Sequence, residues 1–203
     1  MLIKKYPDIG LVHGWTEIID ENSCHVTLTA PRPERESLYS ILWNRWDNRK
    51  QQFIGDWCFN RKWLTEKGGF YKLPFAWGSD DISALLGAAR NGVANTQSLC
   101  FQYRVNCLTI SRTGAIKGKL EAIKLEKEWY LQLLKEPPTN KVDKLYYNDI
   151  KKMMGAYYDK KFGLYISTAL KHNVLNIFKY YALKNKYGYS CRAIGHAIYL
   201  ALH

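Results

Sequence analysis

The sequence predicts an α+β protein, with a small antiparallel sheet and packed helices over residues 1–136 and a basic, all-helical module over residues 141–203. Three observations carry this expectation. Segments near residues 11–30 and 98–111 alternate apolar and polar residues with the two-residue period of strands, while those between them space their apolar residues as helices do. Glu136-Pro137-Pro138-Thr139-Asn140 then breaks the chain, because two prolines cannot continue a helix, and everything beyond it reads as helix. With 203 residues, 47% of them hydrophobic and 14% aromatic, the chain can bury a core without disulfide or metal staples.

Leu11 to Ile19 and Cys24 to Ala30 are rich in Val, Thr and Ile, and Asp20-Glu21-Asn22-Ser23 between them has turn chemistry, so an N-terminal hairpin is expected. Pro31 and Pro33 stop the second strand. From Glu34 the composition turns helical, with Leu38, Leu42 and Trp46 spaced four apart on one face, Gly55 interrupting, and Gly68-Gly69 ending the tract. Phe70 to Gly78 reads as an aromatic loop. Ser79 caps a short helix whose Asp80 and Asp81 suit the positive end of its dipole, whose small residues Ala84, Ala88 and Ala89 suit close packing, and whose stop is Gly92.

Ser98 to Ser111 gives the clearest strand, with Leu99, Phe101, Tyr103, Val105 and Cys107 on one side and Gln102, Arg104 and Asn106 on the other. A basic, glycine-containing turn over residues 111–119 follows and leads into a helix from about Lys119 to Lys135. Past the prolines, Leu175 to Lys186 forms an amphipathic helix, Tyr187-Gly188-Tyr189 a turn, and Ser190 caps a second helix through Ala193, Ile194, Ala197 and Ile198. This is the layout of a helix-turn-helix. One position departs from the usual pattern, since Lys184 stands where a small residue is customary, four before the glycine, with Ala182 close by.

Charge points to the partner. Thirty Lys plus Arg against eighteen Asp plus Glu leave a net charge of +12, and the pI is near 9.4, an excess that attracts polyanions over long range. Residues 141–203 hold eleven Lys and Arg against three Asp, an excess of +8 in under a third of the length. Basic and aromatic residues also alternate between Arg35 and Lys67, and cations can hold phosphate while rings stack on bases.

The expected phosphate contacts are therefore Arg45, Arg49, Lys50, Arg61, Lys62, Arg112, Lys117, Lys119, Lys184, Lys186 and Arg192, with Trp43 and Trp46 as candidates for stacking. Arg45 and Arg49, four apart, share a helix face. The free amides of the turn over residues 111–119 can meet a phosphate, although the turn lacks a Walker pattern. Tryptophans at helical spacing are more often core than platform.

Catalytic constellations are scarce. Cys24, Cys58, Cys100, Cys107 and Cys191 are odd in number and widely spaced, which reads as reduced thiols and gives no zinc-ligand pairing. No Gly-x-Ser-x-Gly elbow, His-Glu-x-x-His helix or His-hydrophobe-His nickase site occurs. A metal-dependent nuclease has only Asp80, Asp81 and Glu121 with Lys119 to draw on, and Cys58 is a nucleophile only if His13, His25 or His172 meets it. No cofactor, metal or catalytic residue is expected.

The opening residues are charged too early for a secretory signal, and no apolar run is long enough to span a bilayer, so a cytoplasmic setting without a membrane partner is expected, in the host cytoplasm if the protein is viral. The leading reading is an accessory or regulatory protein that binds DNA or RNA within a larger nucleoprotein complex, with a phage or other mobile element as its origin. The alternatives are a noncatalytic assembly or virion subunit that uses its aromatic surface for protein contacts, and a metal-dependent nuclease.

Overall fold

The alternation at Leu11–Ile19 becomes β1, the strand on which a five-stranded sheet is organised. Residues 2–105 and 115–203 are described by the computed structural model. The protein is α+β. Before β1 comes one turn of helix, α1 (Leu2–Lys5). β2 (His25–Leu28) returns antiparallel to β1 with Glu17 opposite Leu28, as the hairpin reading requires. The turn between them is built by Asp20, whose Oδ1 accepts the amides of Asn22 (2.9 Å) and Cys24 (2.8 Å).

The tract after Pro33 holds more than one kind of structure. β3 (Arg35–Glu36) leads into α2 (Leu38–Trp46), capped by Ser37, whose Oγ accepts the Ser40 amide at 3.1 Å. The chain then leaves the helix at Asp47, makes a 3-10 turn at Ile54–Asp56, and enters β4 (Trp57–Phe59) before α3 (Arg61–Glu66). β4 pairs antiparallel with β1, placing Phe59 opposite Leu11. Another 3-10 turn at Pro74–Ala76 precedes α4 (Ser79–Ala88).

β5 (Val93–Arg104) begins five residues before the alternating stretch at Ser98, and the portion of the expected strand beyond residue 105 lies outside the described residues. It pairs parallel with β1, Leu11 beside Val93, and antiparallel with β3, Glu36 beside Val93. The sheet is thus mixed. A parallel neighbour needs a long crossover, which here runs through α2, α3 and α4. Phe53 stacks on Tyr103 at 3.7 Å, so the 3-10 turn region covers one face of the outer half of β5.

α4 owes its place to small residues. A Cβ on Gly10 would lie 2.2 Å from the Gly87 carbonyl oxygen, and one on Gly87 would lie 3.2 Å from Cβ of Leu11. At Gly10 only glycine allows this approach of the helix, while at Gly87 a larger residue would press on Leu11. Leu11, Ile41, Leu42, Ile82, Leu85, Val93 and Ala94 form the core there, each at most 2% exposed.

The remaining helices are α5 (Ile116–Leu133), α6 (Lys141–His172), α7 (Asn176–Tyr187) and α8 (Cys191–Leu202). The described residues divide into two compact units, one of residues 2–72, 79–105 and 138–147, the other of residues 73–78, 115–137 and 148–203. Neither unit is one continuous stretch; the chain passes from one to the other between Pro137 and Pro138 and again after Tyr147. The second unit is centred on Leu120, Ile123, Tyr130, Ile150, Tyr158, Phe162, Ile166 and Ala193, all at most 1% exposed. No helix among the described residues is long and apolar enough to cross a membrane.

Candidate nucleic-acid interface

In the first unit the basic residues of the aromatic tract meet carboxylates. Arg45 grips Asp81 with two bonds, Nε to Oδ1 at 3.1 Å and Nη2 to Oδ2 at 3.3 Å, and Gln52 Nε2 also donates to Asp81 at 2.8 Å. Burial, then the charge of Asp81, raises the carboxyl of neighbouring Asp80 above its ordinary range. Arg49 pairs with Asp47 and lies 4.4 Å over the Trp43 ring.

Lys50 is held at 3.0 Å by Glu36, which also accepts from Arg32 at 3.1 Å and from Asn95 at 3.2 Å. Burial of Glu36 opposes its charge, yet the Arg32 and Lys50 cations outweigh that and hold its carboxyl below the usual range. These three expected phosphate ligands therefore serve internal pairs.

The candidate stacking rings of this unit are covered to different degrees. Trp46 is buried at 6% exposure and belongs to the core. Trp43 is half-buried, 5.5 Å from the Tyr146 ring and beneath Arg49. Arg61 and Lys62 remain exposed at the start of α3. A shallow depression of about 600 Å³ beside the N-terminus of α2 is lined by Arg35, Ser37 and Asp143. The carboxylate of Asp143 already takes the Ser37 hydroxyl and the Asn140 amide there, so an anion would be repelled.

Cys58 is exposed on β4. His13 is buried, its Nε2 3.4 Å from Asp56 Oδ2 and its ring 4.7 Å from Trp57, and no cysteine–histidine bond forms among the described residues. Nor do any three His, Cys, Asp or Glu side chains among them gather to hold a metal.

The second unit arranges its charge differently. Lys119 is buried, 5.3 Å over Trp77 and 5.2 Å over Tyr165, and burial pulls its ammonium below the ordinary range, so it is a core cation. Lys117 is exposed on the first turn of α5, and Arg112 lies outside the described residues. Lys161 is tied to the buried Glu126 at 2.5 Å.

Beyond Asp159 the sequence contains no Asp or Glu, a stretch of 44 residues with seven Lys and Arg. Of these, Lys160, Lys171, Lys179, Lys184, Lys186 and Arg192 make no ion pair among the described residues, and all but half-exposed Lys184 are exposed. This distribution was visible in the sequence as a run without carboxylates, a sharper signal than total charge.

α7 and α8 are joined by Gly188, left-handed at φ 72°, whose amide closes the helix onto the Lys184 carbonyl at 2.9 Å. Tyr187 and Tyr189 on either side are buried, and the Tyr189 hydroxyl donates to the Tyr180 carbonyl at 2.5 Å. Ser190 caps α8 through the Arg192 amide and donates its hydroxyl to Asp159 at 2.7 Å. Lys184 Nζ reaches Cys191 Sγ at 3.5 Å, which draws Lys184 to the start of α8, next to Arg192 in sequence.

The exposed positions of α8 include Cys191, Arg192, Gly195, Tyr199 and Leu202. Arg192 alone of these five has the forked donors that read a guanine edge. α7 exposes Phe178 (73%) and Tyr181 (59%), preceded by Leu175 (66%). Comparison of the chain with known protein families, with curated proteins and with solved structures finds no match.

Proposed function

We propose that the protein binds nucleic acid through the cationic surface of α7, α8 and the C-terminal half of α6, as an accessory or regulatory member of a nucleoprotein complex in the cytoplasm, with a phage or mobile element as its origin. The observation that carries this reading is the run after Asp159, where six Lys and Arg have no carboxylate partner among the described residues. Paired cations bring little net field to a ligand, whereas unpaired ones can each replace a counterion on a phosphate. Lys184, Lys186 and Arg192 of the expected contacts lie in this run, and Lys160, Lys171 and Lys179 join them.

Affinity for labelled DNA and RNA at two salt concentrations tests the reading. Neutralising about five phosphates predicts a loss of roughly 100-fold or more between 50 and 200 mM salt. Reversing Lys179, Lys186 and Arg192 to Glu should flatten that dependence. Affinity indifferent to both salt and charge reversal would overturn the proposal.

A noncatalytic assembly subunit is the second reading, and a specific observation favours it. Val142 and Leu145, three apart on the first turns of α6, are 62% and 68% exposed, as apolar residues at a protein contact are before the partner arrives. Stoichiometric co-purification of a partner, lost on changing Leu145 to Lys, is the result expected of that reading.

A further inference from the structure

The exposed face of α7 narrows the choice among nucleic acids. Phe178 and Tyr181 are three apart and so share one face of the helix, and they are 73% and 59% exposed. Lys184 Nζ lies 5.2 Å over the Tyr181 ring, and Lys179 is exposed between the two aromatics in sequence. Rings with cations beside them are the pattern of a strand-binding surface, where each base finds a flat partner and each phosphate a positive charge.

A duplex offers no such use for these rings, because its bases are stacked on one another and only their edges reach the grooves. The helix placed to read those edges, α8, presents Arg192 with Cys191, Gly195, Tyr199 and Leu202. Those four supply little hydrogen-bonding capacity for base edges.

We infer that the α7 surface takes single-stranded nucleic acid, with Phe178 and Tyr181 as platforms for unstacked bases and Lys179 and Lys184 as phosphate contacts. This rests on the nucleic-acid reading above and adds to it the form of the ligand. The absence of Asp and Glu after Asp159 argues the occupant's sign, since a polyanion meets no repelling side chain of its own charge on α7 or α8.

The test uses the full chain and four probes of equal length at one salt concentration: oligothymidylate, oligouridylate, a DNA duplex, and an abasic strand with the same phosphodiester backbone and no bases. Oligothymidylate or oligouridylate should bind at least about tenfold more tightly than both the duplex and the abasic strand, given the usual contribution of one or two stacked bases. Joint replacement of Phe178 and Tyr181 by Ala should bring the single strands down to the level of the abasic strand, with the thermal midpoint confirming that the variant is folded.

Equal affinity for the abasic strand and oligothymidylate would overturn the inference while leaving the charge-based reading in place, as would a duplex bound as tightly as either strand. Polyglutamate that displaces oligothymidylate as well as unlabelled oligothymidylate does would also overturn it, in favour of an acidic protein partner. Failure of all four probes to bind would overturn the nucleic-acid reading itself.

Discussion

Arg45 and Asp81 face each other as a bidentate pair, with both nitrogen–oxygen distances between 3.1 and 3.3 Å, although 36 residues separate them in sequence. A guanidinium held this way by a carboxylate that is only 8% exposed serves the fold. Changing Arg45 to Ala should cost about 1–2 kcal/mol of unfolding free energy, discounted because its side chain is 35% exposed. Urea denaturation reads that loss. Nucleic-acid affinity should stay within about twofold of the parent, a span of a few tenths of a kcal/mol.

Glu36 gives a prediction in pH. Its carboxylate, 1% exposed, faces Arg32 at 3% and Lys50 at 16%. Replacement by Gln removes the negative charge and strands the buried guanidinium, at a cost of about 3–5 kcal/mol. Burial opposes that charge, but the Arg32 and Lys50 cations outweigh burial and hold the native carboxyl below its ordinary value of 4.5. Its contribution is therefore present above that value and lost as pH falls through the lower folded value. Wild-type stability should decline faster than that of Glu36→Gln as the solution is acidified below pH 4.5, measured by denaturant titration at each pH.

Tyr165 gives the alkaline counterpart. Burial raises its phenol to about 12, and its ring stands edge-on to Trp77 at 5.2 Å. A pKa raised on folding stabilises the native state below the ordinary phenol value of 10 and withdraws that support as pH climbs towards 12. Tyr165→Phe should lose less stability than the parent over that interval. Thermal melts at pH 9, 10 and 11 compare the two.

Asp159 links stability and binding with opposite signs. It accepts from the amide and hydroxyl of Ser190 at the start of α8, so Asp159→Ala should cost roughly 1 kcal/mol by calorimetry. It is also the last acidic side chain in the sequence. Its removal should tighten nucleic-acid binding by about twofold to fivefold, the size of one exposed charge interaction. A variant that is both less stable and more weakly bound would contradict the location of the interface.

What could be read from the sequence is what local chemistry determines. Asp20 announces the hairpin turn because a short carboxylate bonds amides two and four residues on. Gly188 and Ser190 announce the end of α7 and the start of α8 for the same local reason. Pairing at a distance leaves no such trace. Nothing near Leu11 indicates that Val93 lies beside it in a parallel register, and β4 hides in a tract whose Leu38, Leu42 and Trp46 spacing reads as helix.

The candidate site divides along the same line. Positive side chains are countable, but whether a carboxylate from elsewhere in the chain neutralises them is a property of the folded state. Arg45 is held by Asp81, Lys50 by Glu36, and Lys119 lies over the Trp77 and Tyr165 rings, all partners brought in from other parts of the sequence. The aromatics of α7 leave no distinct trace in the sequence, because Phe178 and Tyr181 have the pattern of core residues in an amphipathic helix and only the fold exposes them.

The opening turns of α6 constrain how this polypeptide can be dissected. Tyr146 and Tyr147 lie against Trp43 and Tyr39, and Asp143 takes the hydroxyl of Ser37. A fragment ended at Glu136 would strip three side-chain partners from α2 and its cap, so a failure of that fragment would confound misfolding with loss of a ligand surface. Point substitutions on exposed faces, rather than deletions, are the instrument suited to a molecule whose halves exchange chain segments.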